Sequence, residues 1–141
     1  MTNLSRGLRN NNPGNIRINS DNFLGEVKPS QDSAFKQFKT MDYGYRAIFV
    51  ILTNYINKYG ANTIAKIITR WAPPNENNTQ AYINTVAARS GINANTLLDM
   101  NSGEELIKIV AEISFVENGV PAVMADVQAG FDLQQSIKKK S

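Results

Sequence analysis

The sequence predicts a mostly helical α+β fold, with a small β-hairpin on one side of a cleft. Through Phe38 the apolar residues come in short runs cut by Asn, Gly and Pro, the pattern of brief strands and turns. From Met41 onward they recur at three- and four-residue steps, the period of helices with a buried face. The length of 141 residues, with no internal repeat, linker or shift in composition, sets a single domain over 1–141 with room for a real core.

The chain opens on its most unusual stretch, Arg9-Asn10-Asn11-Asn12-Pro13-Gly14-Asn15-Ile16-Arg17. Pro removes a donor, Gly permits positive φ and Asn side chains bond nearby backbone, so this is a tight, polar, shaped loop. It is either a well-capped turn or a wall of amide donors and acceptors suited to uncharged polar ligands such as sugars. Strands are expected at Asn15–Ile18, Phe23–Val27 and Ala34–Phe38, with Gly25 and Pro29 as breakers. Thr40 caps a central helix from Met41 to Tyr59, buried on most sides, and Gly60 stops it. Asn62 or Thr63 caps the next helix, which Pro73-Pro74 closes after Trp71. Asn78 or Thr79 then caps a helix to Ser90, and a short helical turn follows near Asn95–Asp99. Ser102-Gly103-Glu104-Glu105 has the spacing of a capping box, and the helix it opens ends at Glu117-Asn118-Gly119. Pro121 suits the first position of a last helix over Val123–Ile137, with a break expected near Gly130.

Composition excludes much chemistry. With 42% hydrophobic and 19% charged residues the chain is that of a soluble globular protein. It contains no cysteine and no histidine. That removes disulfides, thiol nucleophiles, thiolate and imidazole metal sites, and every Ser-His-Asp scheme. No acid cluster has calcium-loop spacing, no Gly-rich phosphate loop leads into a helix, and no cofactor is expected. Acid–base chemistry near neutral pH would fall to the 12 acidic residues. A net charge of +3, spread along the chain apart from a solvated Lys138–Lys140 tail, suits an anionic polymer; it is the one feature that would point to nucleic acid and is too small for that, so none is expected. Met1–Leu8 is polar and Ala47–Leu52 is too short to span a bilayer, so the expectation is a non-membrane protein made in the cytoplasm without a signal peptide.

Three acids stand out. Glu117 ends a strongly apolar helix, where the macrodipole disfavours a carboxylate by roughly 0.3–1 kcal/mol and favours the protonated form a general acid needs. Its plainer explanation is a surface glutamate before an Asn-Gly stop. Glu76 sits in a proline-stiffened loop beside Trp71 and three asparagines, and is otherwise a solvated loop residue. Glu26, on a short strand, would project into a groove or serve as an edge-strand solvation device. Trp71, Tyr55 and Tyr82 could stack on sugar rings, although helical spacing also suits Tyr55 and Tyr82 to the core. Arg46, amid apolar neighbours, is expected to pair with a carboxylate.

Arg6 through Arg17 resembles the opening of small phage and prophage proteins, described as structural or virion proteins and associated with lysozyme-like activity. The likeness continues through Phe35-Lys36-Gln37-Phe38, Gly44-Tyr45-Arg46-Ala47, Trp71-Ala72-Pro73-Pro74, Glu76-Asn77, Glu117-Asn118-Gly119 and Gly130-Phe131-Asp132-Leu133, and so covers most of the chain. A looser likeness links Asn15-Ile16-Arg17, Phe35–Phe38 and the central helix to peptidoglycan glucosaminidases of the lysozyme superfamily, while Glu117-Asn118-Gly119 resembles the helix-end glutamate of lysozymes and lytic transglycosylases. In those enzymes the hairpin follows the catalytic helix; here it precedes everything, so the resemblance implies a permuted lysozyme-like domain with Glu117 packed beside the Asn-rich loop. It implies cleavage of peptidoglycan glycan strands by a monomer, with Glu117 as acid, Glu76 or Glu26 as second carboxylate, and Asn10, Asn12, Asn15 and Arg17 gripping the sugars. Action at the wall would follow lysis, export or carriage in a phage particle. The alternative is a non-catalytic virion or wall-binding protein with the same cleft.

Overall fold

The central element of the computed structural model, which describes residues 4–140 and the side chains through residue 137, is the helix α2, Met41–Tyr59. Its Ala47, Ile48, Phe49 and Leu52 are fully buried. Against it pack α3 (Ile64–Trp71), α5 (Glu104–Asn118) and α6 (Met124–Lys140), and α4 (Thr79–Ser90) packs on α3 and α5. The core draws Ile64, Ile67 and Ile68 from α3, Val86 from α4, Ile109, Val110 and Ile113 from α5, and Val127 from α6. Buried polar groups are paired across these layers, as packing in low dielectric requires. Tyr45 Oη and Ser114 Oγ share a hydrogen bond of 2.8 Å between α2 and α5, and Gln134 Nε2 donates to Thr53 Oγ1 at 3.0 Å, tying α6 to α2.

The helix ends follow local chemistry. Thr63 and Asn78 cap α3 and α4 by accepting from Lys66 N and Ala81 N. Gly60, Gly91 and Gly119 close α2, α4 and α5 in the left-handed region. Three expectations are corrected here. The Ser102–Glu105 capping box does not form: Gly103, at φ 77°, is the N-cap, and Glu105 instead accepts from Asp99 N. The segment after Gly91 makes a turn closed by Thr96 N–H to Asn93 O, not a helical turn at Asn95–Asp99. α6 begins at Met124, beyond Pro121, and runs unbroken through Gly130. A Cβ at Gly130 would lie 2.6 Å from Tyr45 Cβ and 2.8 Å from Arg46 N, so this glycine lets α6 approach α2 closely.

The N-terminal region is the least regular part. A short helix, α1 (Arg6–Arg9), capped by Ser5, precedes the Asn-rich loop. The sheet is smaller than expected: β1 (Glu26–Val27) pairs antiparallel with β2 (Gln37–Phe38), in register Glu26↔Phe38 and Val27↔Gln37. Asn15–Ile18 contributes a single bridge, Arg17↔Phe35, to the same ribbon. The reason lies in the loop: Asn10 O, Ile16 O and Ala34 O accept from Phe38, Lys36 and Ile18 N–H, so most pairing runs between loop and ribbon. The polar Met1–Leu8 stretch and the Lys138–Lys140 tail lie in part outside the described residues and side chains. No helix of the described residues is long and apolar enough to cross a membrane.

Candidate functional site

The Asn-rich loop packs against the C-terminal end of α5. Asn118 Nδ2 donates to Pro13 O at 2.8 Å and to Ser114 O at 2.9 Å, while its Oδ1 accepts from Ser5 Oγ at 2.6 Å. One residue earlier, Glu117 is held from two sides. Asn15 Nδ2 donates to Glu117 Oε1 at 3.0 Å, and Tyr82 Oη donates to Oε2 at 2.8 Å. Tyr82 in turn accepts from Trp71 Nε1 at 3.1 Å. A relay therefore runs from the indole through the phenol to the carboxylate. Burial first, and then the adjacent Glu117, push the Tyr82 phenol well above its ordinary value, so it stays a donor. Asn15 adopts φ 50°, a left-handed conformation that asparagine tolerates, and this aims its amide at the helix end.

This end of α5 forms the floor of an open cleft of about 700 Å³. One wall comes from Gly14, Asn15, Arg17 and Phe35; the other from Ile51 and Tyr55 of α2, with Trp71, Glu76 and Asn77 at the rim. Gly14 is a close-approach position, since a Cβ there would meet the Trp71 ring at 2.9 Å. Trp71 and Tyr55 are half-buried, each presenting part of a ring to the cleft. The arrangement offers one fixed carboxylate, one exposed carboxylate, amide and guanidinium donors, and two aromatic faces. Among the described residues no group of three or more His, Cys, Asp or Glu could hold a metal ion.

The sequence-predicted residues divide clearly. Glu117, Glu76, Asn15, Arg17, Tyr55 and Trp71 meet in this cleft. Tyr82 is buried behind it and bonds Glu117, so its ring has no face free for a sugar. Asn10 and Asn12 are not part of the wall. Asn12 is fully buried, its Nδ2 donating to Ile16 O and Lys36 O and its Oδ1 accepting from Ile16 N, all at 2.9 Å. Asn10 donates to Asp32. Glu26 sits in neither a groove nor solvent: it pairs at 3.0 Å with Lys36 Nζ, a lysine whose side chain is fully buried. A lone buried ammonium is so costly that its partner is fixed. Arg46 lacks the expected carboxylate: among the described residues it enters no ion pair, and its Nε has no hydrogen-bond partner. Asn77, Phe35 and Ile51 were missed as cleft residues, and Asn118 as the clamp. An asparagine in the last helical turn, between an acid and a glycine, was the available signal for the clamp.

No family model matches the chain. Over 132 residues, 91% of this chain and 81% of the relative, it is 41% identical to Protein P5 of Pseudoalteromonas phage PM2. With identity at that level along nearly the whole length, the chain belongs to the family of this phage protein.

Proposed function

We propose that this phage-family protein cleaves the glycan strands of peptidoglycan, with a lysozyme-like division of labour on a permuted chain order. The observation that carries the reading is the placement of Glu117: a half-buried carboxylate on a cleft floor, held by Asn15 and Tyr82. In its protonated form Glu117 gives its proton to the glycosidic oxygen as the bond to the anomeric carbon breaks. Asn15 serves both states of the acid. Its Nδ2 donates to the carboxylate, and a half-turn of its amide presents Oδ1, which is sealed and without a partner, to a carboxyl O–H. Glu76, the other acid on the cleft, stabilises the developing positive charge on the sugar ring or activates the incoming water. Asn77 and Arg17 contact hydroxyl and acetamido groups, and Trp71 and Tyr55 pack on ring faces.

The test is release of muropeptides from purified peptidoglycan by the wild-type protein and by Glu117→Gln and Glu76→Gln. Activity abolished in Glu117→Gln and reduced in Glu76→Gln is the expected result. Products ending in anhydro sugars with Glu76→Gln fully active would assign transglycosylation by Glu117 alone. No release by the wild type would leave a non-catalytic virion or wall-binding protein.

A further inference from the structure

A second groove, of about 590 Å³, continues the cleft and shares Asn19, Ile51 and Tyr55 with it. Its floor is a stripe of α2 at four-residue steps, Arg46, Val50, Asn54 and Lys58, and its far wall is the segment from Asn19 to Leu24. The unusual member is Arg46. Its Nε is sealed from solvent and has no hydrogen-bond partner, and its guanidinium enters no ion pair among the described residues. Buried donors are nearly always paired, so an unmet arginine donor calls for a physical reason.

The neighbours do not supply one. Asp42, one turn earlier on α2, is the natural partner by spacing, but it forms no ion pair with Arg46, and its Oδ1 accepts from the Thr40 hydroxyl and from Tyr43 N–H. Asp21, the acid on the groove wall, forms no ion pair with Arg46, and its backbone carbonyl is bound by Lys36. A guanidinium is a planar fork matched to a two-oxygen anion, and partial desolvation strengthens such a bond. Lys58, twelve residues on and about 18 Å along the helix, adds positive potential at the other end.

We infer that this groove is a carboxylate-binding subsite in which Arg46 takes an acidic group of the peptide attached to the glycan. The inference rests on the glycan-cleaving reading for what brings the ligand there: a sugar polymer lying in the cleft directs its peptide branch into the adjoining groove. Neutral glycan would satisfy the cleft and leave Arg46 unmet, so the groove confers preference for peptide-bearing strands.

The test uses full-length protein in the Glu117→Gln background, which prevents turnover. Affinities are measured for a neutral N-acetylglucosamine tetramer, for a disaccharide-peptide with free carboxylates, and for the same fragment with its carboxylates amidated. In parallel, the Arg46 guanidinium resonances are followed as an N-acetylated dipeptide with a free C-terminus is added, and then its amide. The free fragment should bind at least about tenfold more tightly than the amidated one, the worth of a charge-assisted bond. Arg46→Gln should erase that ratio without weakening the amidated fragment, Arg46→Lys should keep part of it, and only the free dipeptide should shift Arg46. Equal binding of free and amidated fragments, or an Arg46 resonance unmoved by the dipeptide, overturns the subsite. Tetramer binding without carboxylate preference removes the subsite alone; an Arg46 shift without tetramer binding removes the glycan reading alone.

Discussion

Removing the Tyr82 hydroxyl separates the fold's contribution at this site from its chemistry. That oxygen donates to Glu117 Oε2 at 2.8 Å and accepts from Trp71 Nε1 at 3.1 Å, while the ring fills the core. Tyr82→Phe deletes both bonds and keeps the ring. A hydrogen bond to a charged group contributes about 1.5–3 kcal/mol and a neutral one about 1 kcal/mol. Trp71 is half-buried, so only part of the second term is counted. The expected loss is therefore about 2–3 kcal/mol, or a fall in Tm of roughly 6–9 °C for a chain of this size. Urea or thermal denaturation gives the first number. A cycle with Glu117→Gln gives the second: a bond to a carboxylate is about twice as strong as one to an amide, so a coupling of about 1 kcal/mol is expected. The pH dependence provides a separate check. Burial and Glu117 raise the folded phenol above its ordinary 10.0, so its contribution is complete below pH 10.0 and declines as the unfolded phenol ionises above it. Tyr82→Phe should flatten that alkaline decline. A stability loss under about 0.5 kcal/mol, or a coupling within about 0.3 kcal/mol of zero, would refute the relay as the support of Glu117.

Other consequences concern the parts that hold the cleft in shape. Asn12→Ala strips three bonds from a fully buried side chain, and should cost about 3 kcal/mol or more in chemical denaturation, with burial of the freed backbone groups as the cause. Lys36→Met leaves Glu26 as a buried unpaired charge and should cost about 3–5 kcal/mol, whereas Lys36→Met with Glu26→Leu should recover most of it in the same assay. Asp32 is held well below its ordinary 3.8 by the Arg6 guanidinium, then by Ala34 N–H and by Asn10 and Phe35 N–H, so its contribution is present above pH 3.8 and is lost as pH falls below it. Asp32→Asn should therefore shrink the acid-side loss of stability seen in Tm against pH.

The helices were legible because their evidence is local. The apolar period of α2, its bounds at Met41 and Tyr59, and the stop at Gly60 all follow from residues within one or two turns. The sheet was not, because two-residue strands leave no alternation to read, and the loop itself supplies their partners. The capping box failed although its spacing was right: Gly103 in the left-handed region starts the helix one residue later than Ser102 requires. Among the site residues, Glu117 and Asn15 could be named from local composition, but their bond spans 102 positions, a separation that only tertiary packing decides. The same loop shows the limit of composition. Asn10, Asn11 and Asn12 turn inward to satisfy backbone and Asp32, and Asn15 alone of the four faces the acid.

Those inward asparagines bear on whether Glu117 is there for structure or for chemistry. Ser5, Pro13 and Asn118 lock the loop to the end of α5, and a Cβ at Gly7 would lie 2.7 Å or less from oxygens of Asn12, Asn15 and Asn118. So much fixed geometry holds one side chain whose freedom is otherwise lost at a cost. Glutamine could keep both contacts, though with the weaker bond from Tyr82: its amide oxygen can accept from Tyr82, and its amide nitrogen can donate to the Asn15 Oδ1 that has no partner. Glutamine would also remove the roughly 0.3–1 kcal/mol by which the helix end opposes a carboxylate. An acid kept where a neutral isostere could hold the same partners, on the floor of a cleft with aromatic and amide walls, supports the proposed role of Glu117 in proton transfer.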